Sequence, residues 1–366
     1  MQSTPNPPGA TSSTLAGVSC SSPRACTAVG NFTSSTGAGV MLAERWDGAG
    51  WSIERTRVPN QLDTTLLFGV ACPSRRSCVA VGSLIAIDGH AVPLAEQWRG
   101  GRWSIGNPPI PARANQRQVS YLADVSCASP RSCEAVGYSG TSAGTAGVPL
   151  AEGWNGIRWT AQPIPDPPTA AAAFLSGVSC TSPDSCVAAG FFNDRAGEAR
   201  TLVERWDGTE WVIEPSPTPA AAETVQLERV SCSTPLACLA VGYFTVEPGI
   251  EVPLAERWDG SDWSIQRIRS PHGYGARLDG VSCAAAGTCV AVGSWINATG
   301  ATLPLAESAS GQRWSILSTP QAASTTGGGL VAVSCPSTSR CSATGDATDP
   351  TGNQITLAER YARPPP

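Results

Sequence analysis

Lysine is absent from this chain of 366 residues, and all 24 basic residues are arginine. That points to a coding bias toward GC-rich codons before it points to any chemistry. Histidine is nearly absent too: only His90 and His272 are available. Charge is scarce at 14% of residues, against about 25% in an ordinary globular protein. With a net charge of -5 and a pI near 5.2, the chain has no global basic field of the kind that binds nucleic acid by counterion release, which excludes that partner. No apolar stretch approaches the roughly 20 residues of a membrane helix, so no insertion is expected within this chain. The opening MQSTPNPPGA has neither a basic n-region nor an apolar h-region. No cofactor and no metal are expected.

Cysteine, by contrast, is plentiful and regular. All 14 fall into Cys-x5-Cys pairs: Cys20/Cys26, Cys72/Cys78, Cys127/Cys133, Cys180/Cys186, Cys232/Cys238, Cys283/Cys289 and Cys335/Cys341. The first cysteines lie 52, 55, 53, 52, 51 and 52 residues apart. Zinc sites use closer pairs and complete four ligands with histidine or further thiolates, which two histidines cannot supply. The pairs therefore read as disulfides, each worth about 2 to 2.5 kcal/mol by loop closure. Persistent disulfides need an oxidising space, so an extracellular or cell-surface location is expected. The export signal would then lie outside these residues.

Aligning the copies gives Leu-x-x-Val-Ser-Cys-x5-Cys-x-Ala-Val-Gly, a variable stretch, Pro-Leu-Ala-Glu-Arg-Trp-Asp-Gly-x-x-Trp-Ser-Ile, and a Pro-rich tail. Leu15 to Cys20 suits an innermost strand, Cys26 to Val29 a second, Leu-Ala-Glu-Arg-Trp a third, and Trp51 to Ile53 the outermost. A glycine seven residues after the strand-two glycine, such as Gly37 after Gly30, fits a hairpin tip because glycine tolerates positive φ. Asp47-Gly48 fits the next turn. The first tryptophan position reads as Trp46, Trp98, Trp154, Trp206 and Trp258, with Ser308 and Tyr361 as exceptions. The second reads as Trp51, Trp103, Trp159, Trp211, Trp263 and Trp314. Both read as apolar glue between units, with stacking on sugars as the sharper alternative.

A period near 52 and four strands per unit are the marks of a repeat that closes into a ring. Over almost its whole length the chain resembles kelch-type β-propellers, with an apolar second strand ending at glycine, an aromatic and Asp-Gly after the third, and a Pro-rich crossover. Segments such as TPNPPGATSSTLAGVSC and LAERWDGxxWSI resemble cysteine-bearing repeat proteins of actinobacteria and related lineages, most without an assigned activity. The resemblance implies an all-β, seven-bladed propeller with four antiparallel strands per blade. The expected repeats are 15–66, 67–121, 122–174, 175–226, 227–277, 278–329, and 330–366 completed by 1–14, all in one domain. The last copy lacks an outer strand, and Gln2 to Pro5 matches the segment that follows one. Pairing of Gln2–Pro5 with Ile355–Arg360 is expected to close the ring.

Function is far less legible, because a fold of this kind carries many chemistries. The repeated Glu44, Glu96, Glu152, Glu204, Glu256, Glu307 and Glu359 read as a half-buried structural ring, hydrogen-bonded to backbone. Seven equivalent glycan sites are the sharper alternative. The largest departures from repetition fall on the tips and crossovers of copies four to six: Asp194, Arg195, Glu198, Glu247, His272 and Tyr274. They form a candidate binding site, with His272 able to act as a general base if the site is catalytic. Phe32, Phe192, Tyr243, Phe244 and Trp295 are candidates for stacking on sugars. Arg24, Arg75, Arg76, Arg131 and Arg340 could form a basic arc on the opposite face. The leading expectation is a monomeric, non-catalytic binding or scaffold module for a protein or glycan. The alternatives are a hydrolase or lyase at the channel mouth and a rigid spacer within a larger surface protein.

Overall fold

The computed structural model describes residues 2, 4–57, 64–109, 118–141, 147–271, 273–320 and 325–362. Each copy of the repeat folds as an antiparallel meander. In the first, Ser12–Ser22 pairs with Ala25–Thr33, which pairs with Gly39–Trp46, which pairs with Trp51–Glu54. Among the described residues six four-stranded meanders and a seventh of three strands succeed one another along the chain, and one parallel bridge, Ala91 to Val119, joins the second to the third. The result is a β-propeller built of four-stranded antiparallel units.

Local chemistry explains each turn. The cysteines of a pair lie across the first hairpin, Cys20 directly opposite Cys26, and all seven disulfides are present with no free cysteine. The two sulfurs of each bond sit in different surroundings. Cys20, Cys72, Cys127, Cys180, Cys232, Cys283 and Cys335 are half-buried. Their partners Cys26, Cys78, Cys133, Cys186, Cys238, Cys289 and Cys341 are buried, each in an apolar core. The pairing is the one the Cys-x5-Cys spacing predicts. The second cysteine of every pair faces the core and is closed to any ligand, so its role is to anchor the hairpin to the core by packing as well as by the bond. At the opposite end, Gly37, Gly89, Gly197, Gly249, Gly300 and Gly352 have φ between 82° and 90°, as the hairpin tip demands. Gly144 lies outside the described residues.

The last meander has three strands of its own, and the N-terminus supplies the rest. The Gln2 amide donates to the Ala358 carbonyl at 2.8 Å, and the Thr4 hydroxyl donates to the Thr356 carbonyl at 2.9 Å. Trp51 of the first unit holds this segment, its indole N–H donating to the Gln2 side-chain oxygen at 3.0 Å.

A second belt of bonds ties neighbouring units. The serine before each first cysteine accepts from the amide of the next unit's first cysteine. Ser19 thus receives Cys72, Ser126 receives Cys180, Ser179 receives Cys232, Ser231 receives Cys283, Ser282 receives Cys335 and Ser334 receives Cys20, each at 2.9 Å. The bond from Ser334 to Cys20 closes the circle. Only the second unit breaks the rule, because Ala71 stands where the others have serine. Ala71→Ser is therefore expected to stabilise the protein by about 0.5 to 1.5 kcal/mol by giving the Cys127 amide its acceptor. Urea unfolding compared with the parent would check this, and an unchanged midpoint would show that the site cannot seat the hydroxyl.

The apolar cores lie between units. One contains Val29, Met41 and Ala43 of the first unit with Leu67, Cys78, Leu94, Trp98 and Trp103 of the second. Another joins Leu15, Leu42, Trp46 and Trp51 to Ala332 and Ala358 of the last. Most of the repeated tryptophans are sealed in these seams, which removes them as sugar platforms; Trp206 and Trp258, partly buried, pack against the same cores. The third-strand arginine adds a clamp. Arg45 stacks 3.7 Å from the Trp98 ring centroid and donates to the Arg75 carbonyl of the next disulfide loop. Arg360 does the same with Trp46 and Pro23. Strand register corrects one reading of the sequence: Ala309, not Ser308, holds the first tryptophan position in the sixth unit, since it faces Cys289. Ser308 holds the arginine position.

Candidate functional site at the tip-side mouth

Every first strand runs from the tip side to the disulfide side along the axis, so the residues around its midpoint meet at the centre. The position two before the repeated Ser/Ala-Cys is Gly17, Gly69, Asp124, Gly177, Arg229, Gly280 and Ala332. Small residues are required where strands approach backbone to backbone. A Cβ on Gly17 would lie 2.9 Å from the Phe68 carbonyl oxygen, and one on Gly280 would lie 2.7 Å from that of Val331. Asp124 and Arg229 break this pattern and cross-brace the channel. They pair at 3.8 Å, the Val178 amide donates to Asp124 at 3.1 Å, and Arg229 donates to the Ser176 carbonyl. Burial raises the Asp124 carboxyl, and Arg229 offsets part of that rise. The cavity they narrow measures about 240 Å³.

Above this brace, on the tip side, the units stop resembling one another. The residue before the repeated leucine of the first strand lies opposite the residue after the strand-two glycine. These cross-strand pairs are Thr14/Asn31, Leu66/Ser83, Tyr121/Tyr138, Phe174/Phe191, Gln226/Tyr243, Arg277/Ser294 and Gly329/Asp346. Units two to four contribute an unbroken chain of rings. Phe68 to Tyr121 is 6.3 Å between centroids, Tyr121 to Tyr138 5.3 Å, Tyr138 to Phe174 4.9 Å and Phe174 to Phe191 5.0 Å. All five rings are partly exposed. The Tyr121 and Tyr138 hydroxyls have no protein partner among the described residues, and neither is sealed from solvent. Partial burial raises both phenols.

Units five to seven contribute charge instead. Arg277 donates to Asp279 at 2.7 Å and to Glu228 and Glu251 at 3.4 Å each, and its guanidinium lies 4.4 Å from the Tyr243 ring centroid. Tyr243 donates to Gln226 at 2.7 Å. Burial pushes the Asp279 carboxyl up to about 6 despite Arg277. Glu228, Arg277, Asp279, Asp346 and Gln354 line a pocket of about 490 Å³. Arg229 lines both this pocket and the channel, and Phe68 lines the channel at the head of the ring chain. Aromatic and charged halves thus share one mouth.

The residues singled out from sequence fare differently. Asp194 and Glu198 meet through Arg200, at 3.3 and 2.6 Å, on one hairpin tip. Arg195, Glu247 and Tyr274 are exposed, and among the described residues no side-chain hydrogen bond or ion pair joins them to that tip. His272 lies outside the described residues. Phe32, Phe192, Phe244 and Trp295 pack against the cores between units, so of that group Tyr243 alone reaches the mouth. Sequence reasoning misses Phe68, Tyr121, Tyr138, Phe174 and Phe191. Aligning the copies at the two positions flanking the repeated leucine would have found most of them.

The repeated glutamates are more deeply buried than their strand pattern suggested. Glu44, Glu96, Glu152, Glu204, Glu256 and Glu307 have no exposed surface, which rules out direct glycan contact there. Glu96 accepts from the Arg57 amide at 3.3 Å and Glu256 from the Ser216 hydroxyl at 2.7 Å. Both carboxyl oxygens of Glu44, Glu152, Glu204 and Glu307 are unpartnered among the described residues, contrary to the expected backbone bonds. Burial accordingly pushes most of the ring up to about 8, and Glu96 and Glu359 to about 7.

No family model matches the chain, and no curated protein sequence does. Solved structures share its fold. YCF48 bound to a D1 peptide is 14% identical, with a TM-score of 0.53 over 97% of this chain and 95% of that one. A polysaccharide lyase, the ulvan lyase of family PL25, is 8% identical, with a TM-score of 0.59 over 97% and 95%. A protein of unknown function from Dyadobacter fermentans is 11% identical, with a TM-score of 0.51 over 81% and 94%. At these identities the likeness establishes the propeller fold alone. No group of three or more metal-ligating side chains occurs among the described residues, and no helix there is long and apolar enough to cross a membrane.

Proposed function

We propose that the protein is an extracellular or cell-surface binding propeller, monomeric and non-catalytic, that takes a glycan or protein ligand at the tip-side mouth. One observation carries this reading. A chain that repeats its seams, disulfides and turns so closely abandons repetition where its inner strands converge, and there presents rings, carboxylates and an arginine. Seven disulfides suit an oxidising compartment. The tips bearing Asp194, Arg195, Glu198 and Glu247 stand on the same side and would form the rim. The kelch-like and actinobacterial affinity and the repeat boundaries belong to the same proposal.

The hydrolase or lyase reading draws on the Arg277 cluster, which brings acid, phenol and guanidinium within reach. Binding is favoured because these groups satisfy one another: Arg277 is shared by three carboxylates, and the Tyr243 hydroxyl is spent on Gln226. A screen of surface polysaccharides and peptides against the protein and its Tyr138→Ala variant tests the proposal. A ligand whose affinity falls at least about tenfold in the variant, a loss of roughly 1.4 kcal/mol, supports it. Equal binding by the variant would remove the mouth as the site. New reducing ends or unsaturated sugars released from a bound polysaccharide would replace binding with catalysis.

A further inference from the structure

We propose that the ligand of this mouth is a polysaccharide carrying free amino groups, its sugar rings lying on the aromatic arc and an ammonium seated in the pocket lined by Glu228, Asp279 and Asp346. The inference rests on the binding reading above and specifies its ligand. The first support is charge. Three carboxylates, Glu228, Asp279 and Asp346, line a pocket of about 490 Å³ beside Arg277, and a fourth, Glu251, pairs with Arg277 from outside that lining. The other arginine on its wall, Arg229, is held by Asp124. The pocket is thus net negative, and a low-dielectric wall strengthens its attraction for a cation over that of an open surface. An anionic polymer, such as one rich in sulfate or uronate, would be repelled at the same place.

The second support is the arc itself. Phe68, Tyr121, Tyr138, Phe174 and Phe191 run around half of the mouth with partly exposed faces, and two free phenol hydroxyls stand among them. Sugars present C–H faces to such rings and hydroxyls to such phenols. A basic peptide would satisfy the charge, but a peptide bound by strand addition or as a helix needs an unpaired strand edge or a helix-sized groove. The inner strands at this mouth are paired along their outer edges and crowd the axis on the other, as the Gly17 and Gly280 contacts show. The mouth offers neither.

Titration calorimetry of the full chain with a glucosamine hexamer and an N-acetylglucosamine hexamer separates the elements of the proposal, because the two differ only in the amine. The glucosamine hexamer is expected to bind about tenfold more tightly at low salt, and the preference is expected to shrink at high salt. Glu228→Gln with Glu251→Gln should abolish the preference. Tyr138→Ala should weaken both ligands, with thermal unfolding and disulfide content showing that each variant is folded. If both hexamers bind equally and both are weakened by Tyr138→Ala, the mouth binds glycans and the cationic specificity is wrong. If neither hexamer binds while oligolysine does so in a Tyr138-dependent way, the glycan is wrong and the mouth stands. If no probe binds, the proposal falls.

Discussion

Thermal stability is expected to be highest near pH 4 and to fall steadily from pH 5 to about 9. Eight buried carboxyls drive this. Glu44, Glu134, Glu152, Glu204, Glu256 and Glu307 are pushed up to about 8 and Glu96 and Glu359 to about 7, in each case chiefly by burial. In the unfolded chain the same groups titrate near 4.3. Below that pH both states hold the proton and the groups cost nothing. Between about 4.3 and 8 the unfolded chain has released protons that the folded one keeps, so each unit of pH favours unfolding. Above about 8 the loss is complete. The effects share one sign, so every one of these carboxyls that ionises in the folded chain adds to the same downward slope. The turn aspartates Asp47, Asp194, Asp207, Asp259 and Asp349 are lowered by hydrogen bonds, so their opposing contribution lies below the usual aspartate range. Melting curves from pH 5 to 9 give the slope, and Glu204→Gln, which cannot ionise, should make it shallower. A flat profile would mean that the ring carboxyls are compensated in the folded state.

Reduction should be still more damaging. Each short disulfide loop is worth about 2 to 2.5 kcal/mol by loop closure, and seven of them together match or exceed the 5 to 15 kcal/mol net stability of an ordinary domain. Intact mass before and after reduction should show a gain of 14 hydrogens, one for each cysteine, with no thiol alkylated beforehand. The reduced and alkylated chain is expected to lose its cooperative melt at ordinary temperatures, the more so because Cys78, Cys133, Cys186, Cys238 and Cys341 are core residues with no room for an alkyl group. A reduced protein melting within a few degrees of the oxidised one would show that the serine belt and the tryptophan seams hold the ring unaided. Free thiols after refolding under oxidising conditions would count against the extracellular proposal, since compartment was inferred from these bonds.

Much of the fold was legible because its information is local and repeated. The Cys-x5-Cys hairpins, the tip glycines and the Asp-Gly turns each depend on residues a few positions apart, and seven copies made each one visible. The burial of one cysteine in each pair was not, since it depends on how a hairpin packs against its neighbouring unit. Ring closure was legible because the last unit lacks what Gln2 and Thr4 supply. The register at Ser308 and Ala309 was legible too, because the repeated Glu307 already sets Ser308 at the arginine position and Ala309 at the tryptophan position, and strand pairing places Ala309 opposite Cys289.

The mouth was another matter. Sequence varies most at the hairpin tips and crossovers, which draws attention to Asp194, Glu247 and His272. Among the described residues no side-chain hydrogen bond or ion pair joins Asp194, Arg195 or Glu198 to Glu247 or Tyr274, the paired ones meeting only Arg200 of their own hairpin. The axis is where units must meet, and a single side chain on each inner strand decides what the mouth is made of. Asp124 and Arg229, two units apart, meet across the channel, and Tyr138 meets Phe174 of the following unit. Sequence by itself determined the strands, the disulfides and the closed ring, because hydrogen bonding and turn chemistry are written in short segments. Only the tertiary structure decided which of the irregular residues share a surface, because that depends on how seven inner strands are arranged about one axis.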